Sequence, residues 1–126
     1  MSAATSSLYI GLMSGTSLDG VDAVLANFSS ERPQVLAHST VAFDTALHDE
    51  LLALNSPGEN ELHRAWLAGN ALARTYASAV HAVLQAGGVA ASAVRAIGAH
   101  GQTVRHRPQE FDGTGYTIQL NQPALL

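Results

Sequence analysis

Ser14-Gly15-Thr16-Ser17-Leu18-Asp19-Gly20-Val21-Asp22 joins two apolar runs, and its brevity sets the topology of the first half of the chain. The runs are Leu8-Tyr9-Ile10-Gly11-Leu12-Met13 before it and Val21 to Phe28 after it, both with strand-favouring residues. A connector this short joins antiparallel neighbours, because a parallel crossover needs about a dozen residues or more. A third apolar run, Gln34 to Phe43, follows the turn cluster Ser29 to Pro33. The chain is therefore expected to open as a three-strand antiparallel meander. Within the connector, Gly15 and Gly20 free the backbone to converge amides on an anion, and Ser14, Thr16 and Ser17 add hydroxyl donors. Asp19 and Asp22 supply hard oxygens suited to Mg²⁺ held mainly through water. A metal–nucleotide phosphate needs these parts. The same residue types also make a plain tight turn, and composition leaves both readings standing.

Two familiar phosphate loops do not fit. A Walker-type loop places Gly-Lys-Ser/Thr ahead of a helix, and this chain has six Arg and no Lys. A dinucleotide fingerprint needs G-x-G-x-x-G, whereas Gly11, Gly15 and Gly20 are spaced otherwise and strand-like residues follow them.

Beyond the meander the period changes to that of helices. Asp44 is placed to cap a short helix reaching about Asn55, with Leu47, Leu51 and Leu54 on one side. Ser56-Pro57-Gly58-Glu59 is a break that also has the form of a helix start, with Ser56 as cap. From about Asn60 to Ala86, Leu62, Trp66, Gly69, Leu72, Tyr76, Val80, Val83 and Leu84 recur in steps of three and four, which predicts one buried stripe. Gly87-Gly88 ends that helix. Val94 to Ala99 reads as a buried strand. Thr103 to Arg107 and Tyr116 to Asn121 flank a loop with Pro108, Asp112, Gly113 and Gly115, the pattern of a β-hairpin. The fold class is α/β.

A second polar turn, His100-Gly101-Gln102-Thr103, closes the strand at Ala99, where open α/β sheets gather ligands. His100 and Gln102 carry groups for sugar hydroxyls, and Thr103 suits a sugar or a phosphate. A strand-to-hairpin corner with a satisfied His is the plain alternative. Arg105 and Arg107 read as solvated strand-face charges or anion contacts. The six His are scattered and form no metal site by spacing.

Composition narrows the class. The 126 residues carry a net charge of −4 and no Cys, with 47% hydrophobic and 13% charged residues. Acidity without Lys argues against a nucleic-acid or polybasic membrane surface, and no Cys means no disulfide or thiolate site. No run approaches the roughly 20 apolar residues of a membrane span. The start lacks the charged and apolar regions of a signal peptide. A cytoplasmic domain is expected, with residues 1–7 disordered. Asn121-Gln122-Pro123-Ala124-Leu125-Leu126 has the form of a helix start one turn long, too short to support itself, so residues 8–126 are expected to be an incomplete lobe.

At the two turns the chain resembles a known family. Tyr9 to Asp22 is similar to the amino-terminal signature of the anhydro-N-acetylmuramic acid kinases. Ile97-Gly98-Ala99-His100-Gly101-Gln102-Thr103-Val104-Arg105-His106 resembles their second signature, and Thr117 to Leu126 the segment after it. The resemblance implies the actin-like ATPase, hexokinase and Hsp70 superfamily, whose ribonuclease H-like first lobe opens with a meander carrying a phosphate hairpin. It implies ATP and Mg²⁺ as cofactors and 1,6-anhydro-N-acetylmuramic acid as substrate. The sugar's 6-oxygen is phosphorylated while water opens the bridge at C1, giving N-acetylmuramic acid 6-phosphate in cell-wall recycling.

By motif match, Gly15, Thr16, Ser17, Leu18, Asp19, Gly20, Val21 and Asp22 would bind ATP, with Asp19 and Asp22 near the metal. His100, Gly101, Gln102 and Thr103 would lie by the sugar or the phosphate cleft. Met13 stands where much of the superfamily has an Asp, and Asn121-Gln122-Pro123 replaces the commoner Gly-Asn-Pro. Family members are longer, and their catalytic aspartate lies in a Gly-Asp-Phe-Arg-like segment beyond residue 126. No residue here is assigned as catalytic, and the chain alone is expected to be inactive. A stand-alone nucleotide-binding or interaction module is the alternative, and the complete protein is open to being a homodimer.

Overall fold

The computed structural model describes residues 6–126. Its strands are β1 (Leu8–Met13), β2 (Gly20–Asn27), β3 (Gln34–Ala42), β4 (Val94–Ala99), β5 (Gln102–Pro108) and β6 (Gly115–Leu120), with helices α1 (Thr45–Ala53) and α2 (Glu61–Gly87) between β3 and β4. The first four strands form one sheet in the order β3-β2-β1-β4, and β5 and β6 form a separate two-stranded sheet. The meander is as expected: β1 pairs antiparallel with β2, and β2 with β3. β4 returns through the helices to lie parallel to β1, with Ile10 opposite Ile97 and Leu12 opposite Ala99. This is an α/β fold of the kind expected for an amino-terminal actin-like lobe.

Period-two alternation puts Ile10 and Leu12 of β1 and Val21, Ala23 and Leu25 of β2 on one face. There they meet Leu72, Tyr76, Ala79, Val80 and Val83 of α2 and form the core. Asp44 caps α1 as expected: its carboxylate accepts from the Leu47 amide at 2.7 Å, and Leu47, Leu51 and Leu54 are buried. Of the stretch expected to be disordered, residues 1–5 lie outside the described residues. The Ser6 hydroxyl donates to the Ala93 carbonyl, and the Ser7 carbonyl accepts from Phe28 N–H at 2.9 Å.

Three local expectations change. The stripe on α2 is buried from Gly69 onward, but Leu62 and Trp66 are 76% and 58% exposed. The first turns of α2 run beside the β5–β6 hairpin rather than over the sheet, leaving an apolar groove of about 290 Å³ between them. α2 also starts later than a Ser56 cap implies. Asn60 precedes it at φ 52°, and the Glu61 carboxylate reaches back to Gly58 N–H at 3.0 Å. Finally, β4 is largely exposed from Arg95 to Gly98, because it is an edge strand and its helix-side groove, lined by Val80, Leu84 and Ile97, stays open. Among the described residues, no helix is long and apolar enough to cross a membrane.

Candidate phosphate site

Parallel pairing of β1 and β4 delivers the two polar turns to the same end of the sheet. His100 N–H continues the ladder by donating to the Leu12 carbonyl at 3.0 Å, so the turn after β4 sits directly beside the turn after β1. The first turn closes with Leu18 N–H donating to the Gly15 carbonyl at 3.2 Å. Its one left-handed residue is Leu18, at φ 58°, and not Gly15 or Gly20 as the glycine pattern suggests. A bulky residue there is strained, and burial compensates: Leu18 is 4% exposed and belongs to the core. Leu18, expected among the ATP-binding residues, is therefore the apolar anchor that holds the loop down.

With Leu18 inward, Thr16, Ser17 and Asp19 are exposed. Among the described residues, the amides of Gly15, Thr16 and Ser17 donate no hydrogen bond. Successive unspent N–H groups beside hydroxyls are the donor set an anion takes. Val21 is buried in the core, and Gly20 lies against β3, where a Cβ would come 2.9 Å from the Ala42 Cα.

The second turn is bound to the first by a reciprocal clasp. Ser14, 2% exposed, donates from its hydroxyl to the Gly101 carbonyl at 3.4 Å and accepts from the Tyr76 phenol at 2.8 Å. Gln102, 0% exposed, donates from Nε2 to the Gly15 carbonyl at 3.1 Å and to the Thr103 carbonyl at 3.2 Å. Each turn thus grips the other's backbone. Two carbonyl acceptors fix the amide orientation, since the flipped form would set Oε1 against both. Oε1 itself has no partner among the described residues. Burial pushes the Tyr76 phenol up from its usual pKa, so it stays protonated as a donor. Gly101 has φ 83°, and a Cβ there would lie 2.7 Å from the Leu120 carbonyl oxygen, which explains glycine at this corner.

The candidates for the sugar separate accordingly. Gln102, read as a donor to sugar hydroxyls, is buried with its Nε2 donor spent internally. His100 is exposed, its Nδ1 donating to the Gly101 carbonyl at 3.0 Å, and Thr103 is half-buried. Arg105 is not a solvated charge. It forms a partly buried ion pair with Glu61 at 2.6 Å, while Arg107 faces Glu110 at 3.5 Å. Tyr76 is the neighbour of the first turn that the sequence does not reveal, because helical spacing marks a residue as inward without saying what its hydroxyl meets.

Of the proposed metal contacts, Asp22 accepts from the Thr40 hydroxyl at 2.7 Å and lies 3.5 Å from His38 Nε2. Asp19 is exposed. No group of three or more acidic or His side chains gathers among the described residues. One or two carboxylates fit a Mg²⁺ held mostly by water and phosphate oxygens, and not a protein cage.

Compared with known families, residues 7–126 match the model of anhydro-N-acetylmuramic acid kinase. The chain belongs to the anhydro-N-acetylmuramic acid kinase family. It is 67% identical over 121 residues to the anhydro-N-acetylmuramic acid kinase of Albidiferax ferrireducens, covering 96% of this chain and 31% of that protein. It is 63% identical to the one of Variovorax paradoxus, covering 94% and 32%, and 58% identical to the one of Bordetella pertussis, covering 94% and 30%. The chain thus spans about a third of the length of the kinases it matches.

Proposed function

We propose that this chain carries the phosphate-hairpin half of a kinase that uses ATP to convert 1,6-anhydro-N-acetylmuramic acid and water to N-acetylmuramic acid 6-phosphate. The observation that carries the reading is the clasped pair of turns at one end of the sheet, with the Gly15, Thr16 and Ser17 amides unspent. The Gly15, Thr16 and Ser17 amides and the Thr16 and Ser17 hydroxyls hold the ATP phosphates. Asp19 and Asp22 would hold Mg²⁺ through water, and the ion when bound would supply charge neutralisation at the phosphates. His100, Gly101 and Thr103 border the sugar. In the reaction the 6-oxygen takes the γ-phosphoryl group and ADP leaves, the C1–O6 bond breaks, and water adds its oxygen at C1 as it gives up a proton to a base. The loop contributes positioning and electrostatic stabilisation, the main protein contribution to phosphoryl transfer. The water's base comes from outside these 126 residues.

The complete kinase is expected to act in the cytoplasm, with ATP and the sugar as partners; light scattering reads whether it is a homodimer. The 126-residue chain alone is expected to turn over no sugar, because excluding water from the phosphoryl group takes two enclosing lobes. The test is an ATP-coupled assay on the anhydro sugar with both proteins. Turnover by the complete protein, weakened by Asp19→Ala or Asp22→Ala, supports the reading. Robust turnover by the 126-residue chain, or no effect of either substitution on ATP affinity, overturns it. Micromolar Mg-ATP binding by the short chain without turnover would favour a self-standing nucleotide module.

A further inference from the structure

Ser14 and Gln102 come from different turns, 87 residues apart from their respective partners Gly101 and Gly15, yet each side chain donates to the other turn's carbonyl. Both are buried, and neither offers a polar atom at the surface to a ligand. Their effect on function must therefore run through the backbone they hold. The Gly15 carbonyl takes two donors, Gln102 Nε2 and Leu18 N–H, and both pull it into the protein. A peptide plane whose carbonyl is drawn inward turns the N–H of the next residue, Thr16, the opposite way, because the two groups lie antiparallel across a trans peptide. Gln102 thereby aims the amide that the loop offers an anion. Tyr76 holds the same loop from below by donating to Ser14.

We propose that Gln102, with Tyr76 behind Ser14, is a positioning residue for the phosphate hairpin, setting the aim of the Thr16 amide without touching nucleotide or sugar. This rests on the kinase reading above. It also explains why a fully buried carboxamide with one oxygen unpartnered sits between two polar turns, where an apolar side chain of the same size would avoid that cost.

The test uses the complete kinase with Gln102→Met, which keeps volume and removes the donor, and Tyr76→Phe, which keeps the ring and removes the hydroxyl. Gln102→Met is expected to raise KM for ATP about tenfold, the loss of one well-aimed hydrogen bond to a charged group. KM for the sugar should stay within about twofold, since no sugar contact is removed. Tyr76→Phe should shift KM for ATP in the same direction by less. A purely structural role would lower Tm in both variants and leave the two KM values of the folded protein alone; that result overturns the proposal. Loss of the melting transition in Gln102→Met also counts against it, because positioning requires a folded lobe with a displaced loop. ATP-dependent turnover that Gln102→Met leaves unchanged overturns the positioning role alone. An unsubstituted protein that consumes no ATP overturns the kinase reading and this inference with it.

Discussion

A Cβ at Gly15 would meet nothing within 4 Å, whereas one at Gly20 would lie 2.9 Å from the Ala42 Cα. Two glycines in one loop therefore answer to different demands, and alanine substitution separates them. Gly20→Ala forces backbone apart between β2 and β3 and should cost about 1–3 kcal/mol, measured by denaturant unfolding. Gly15→Ala meets no neighbour in the protein and should change stability by less than about 0.5 kcal/mol. In the complete kinase it should nonetheless weaken Mg-ATP binding severalfold, since a methyl group would stand beside the unspent amides. Equal ATP affinity for Gly15→Ala and the parent would place the phosphates elsewhere. Leu18 carries the converse lesson. Its place in the loop motif is visible in the sequence, but its left-handed backbone and its burial are not, because nothing local marks a Leu whose side chain turns back beneath its own turn.

Among elements, the meander, both helices and the hairpin were legible because each shows a local period or a short connection. The exposed start of α2 was not. Leu62 and Trp66 continue the same three-and-four spacing, and periodicity cannot say how far along a helix its partner extends. The β5–β6 hairpin is tied to that start by Arg105 and Glu61. The hydrogen bond from Arg105, then that from Gly58 N–H, holds the Glu61 carboxyl below the usual carboxylate range. A depressed folded pKa stabilises above the unfolded pKa, and the gain is lost as pH falls through the folded value. Between pH 7 and pH 3 the parent should therefore lose more stability than Glu61→Gln, whose tie does not titrate. Parallel losses in urea titrations at both pH values would refute the link. The clasp was beyond sequence reasoning for a different reason: Ser14, Tyr76 and Gln102 meet only because β4 lands beside β1, and no local pattern encodes that pairing.

For the whole molecule, the core lies on one face of the sheet, and large apolar side chains remain outside it: Trp66, Ile97 and Ile118 are all at least 38% exposed. The purified 126-residue chain should accordingly bind a hydrophobic dye and associate as its concentration rises. A clean monomer without dye binding would show that these faces need no cover. The sheet order has a consequence in time as well. The three strands of the meander meet over short connections and can pair as soon as they leave the ribosome, carrying the Ser14–Asp19 loop with them. β4 must wait for α1 and α2 to be made, and only then can Gln102 and Gly101 reach back across the 87 residues to Gly15 and Ser14. Until that late arrival the nascent loop has no strut on the Gly15 carbonyl, so a growing chain forms its meander before its two turns are clasped.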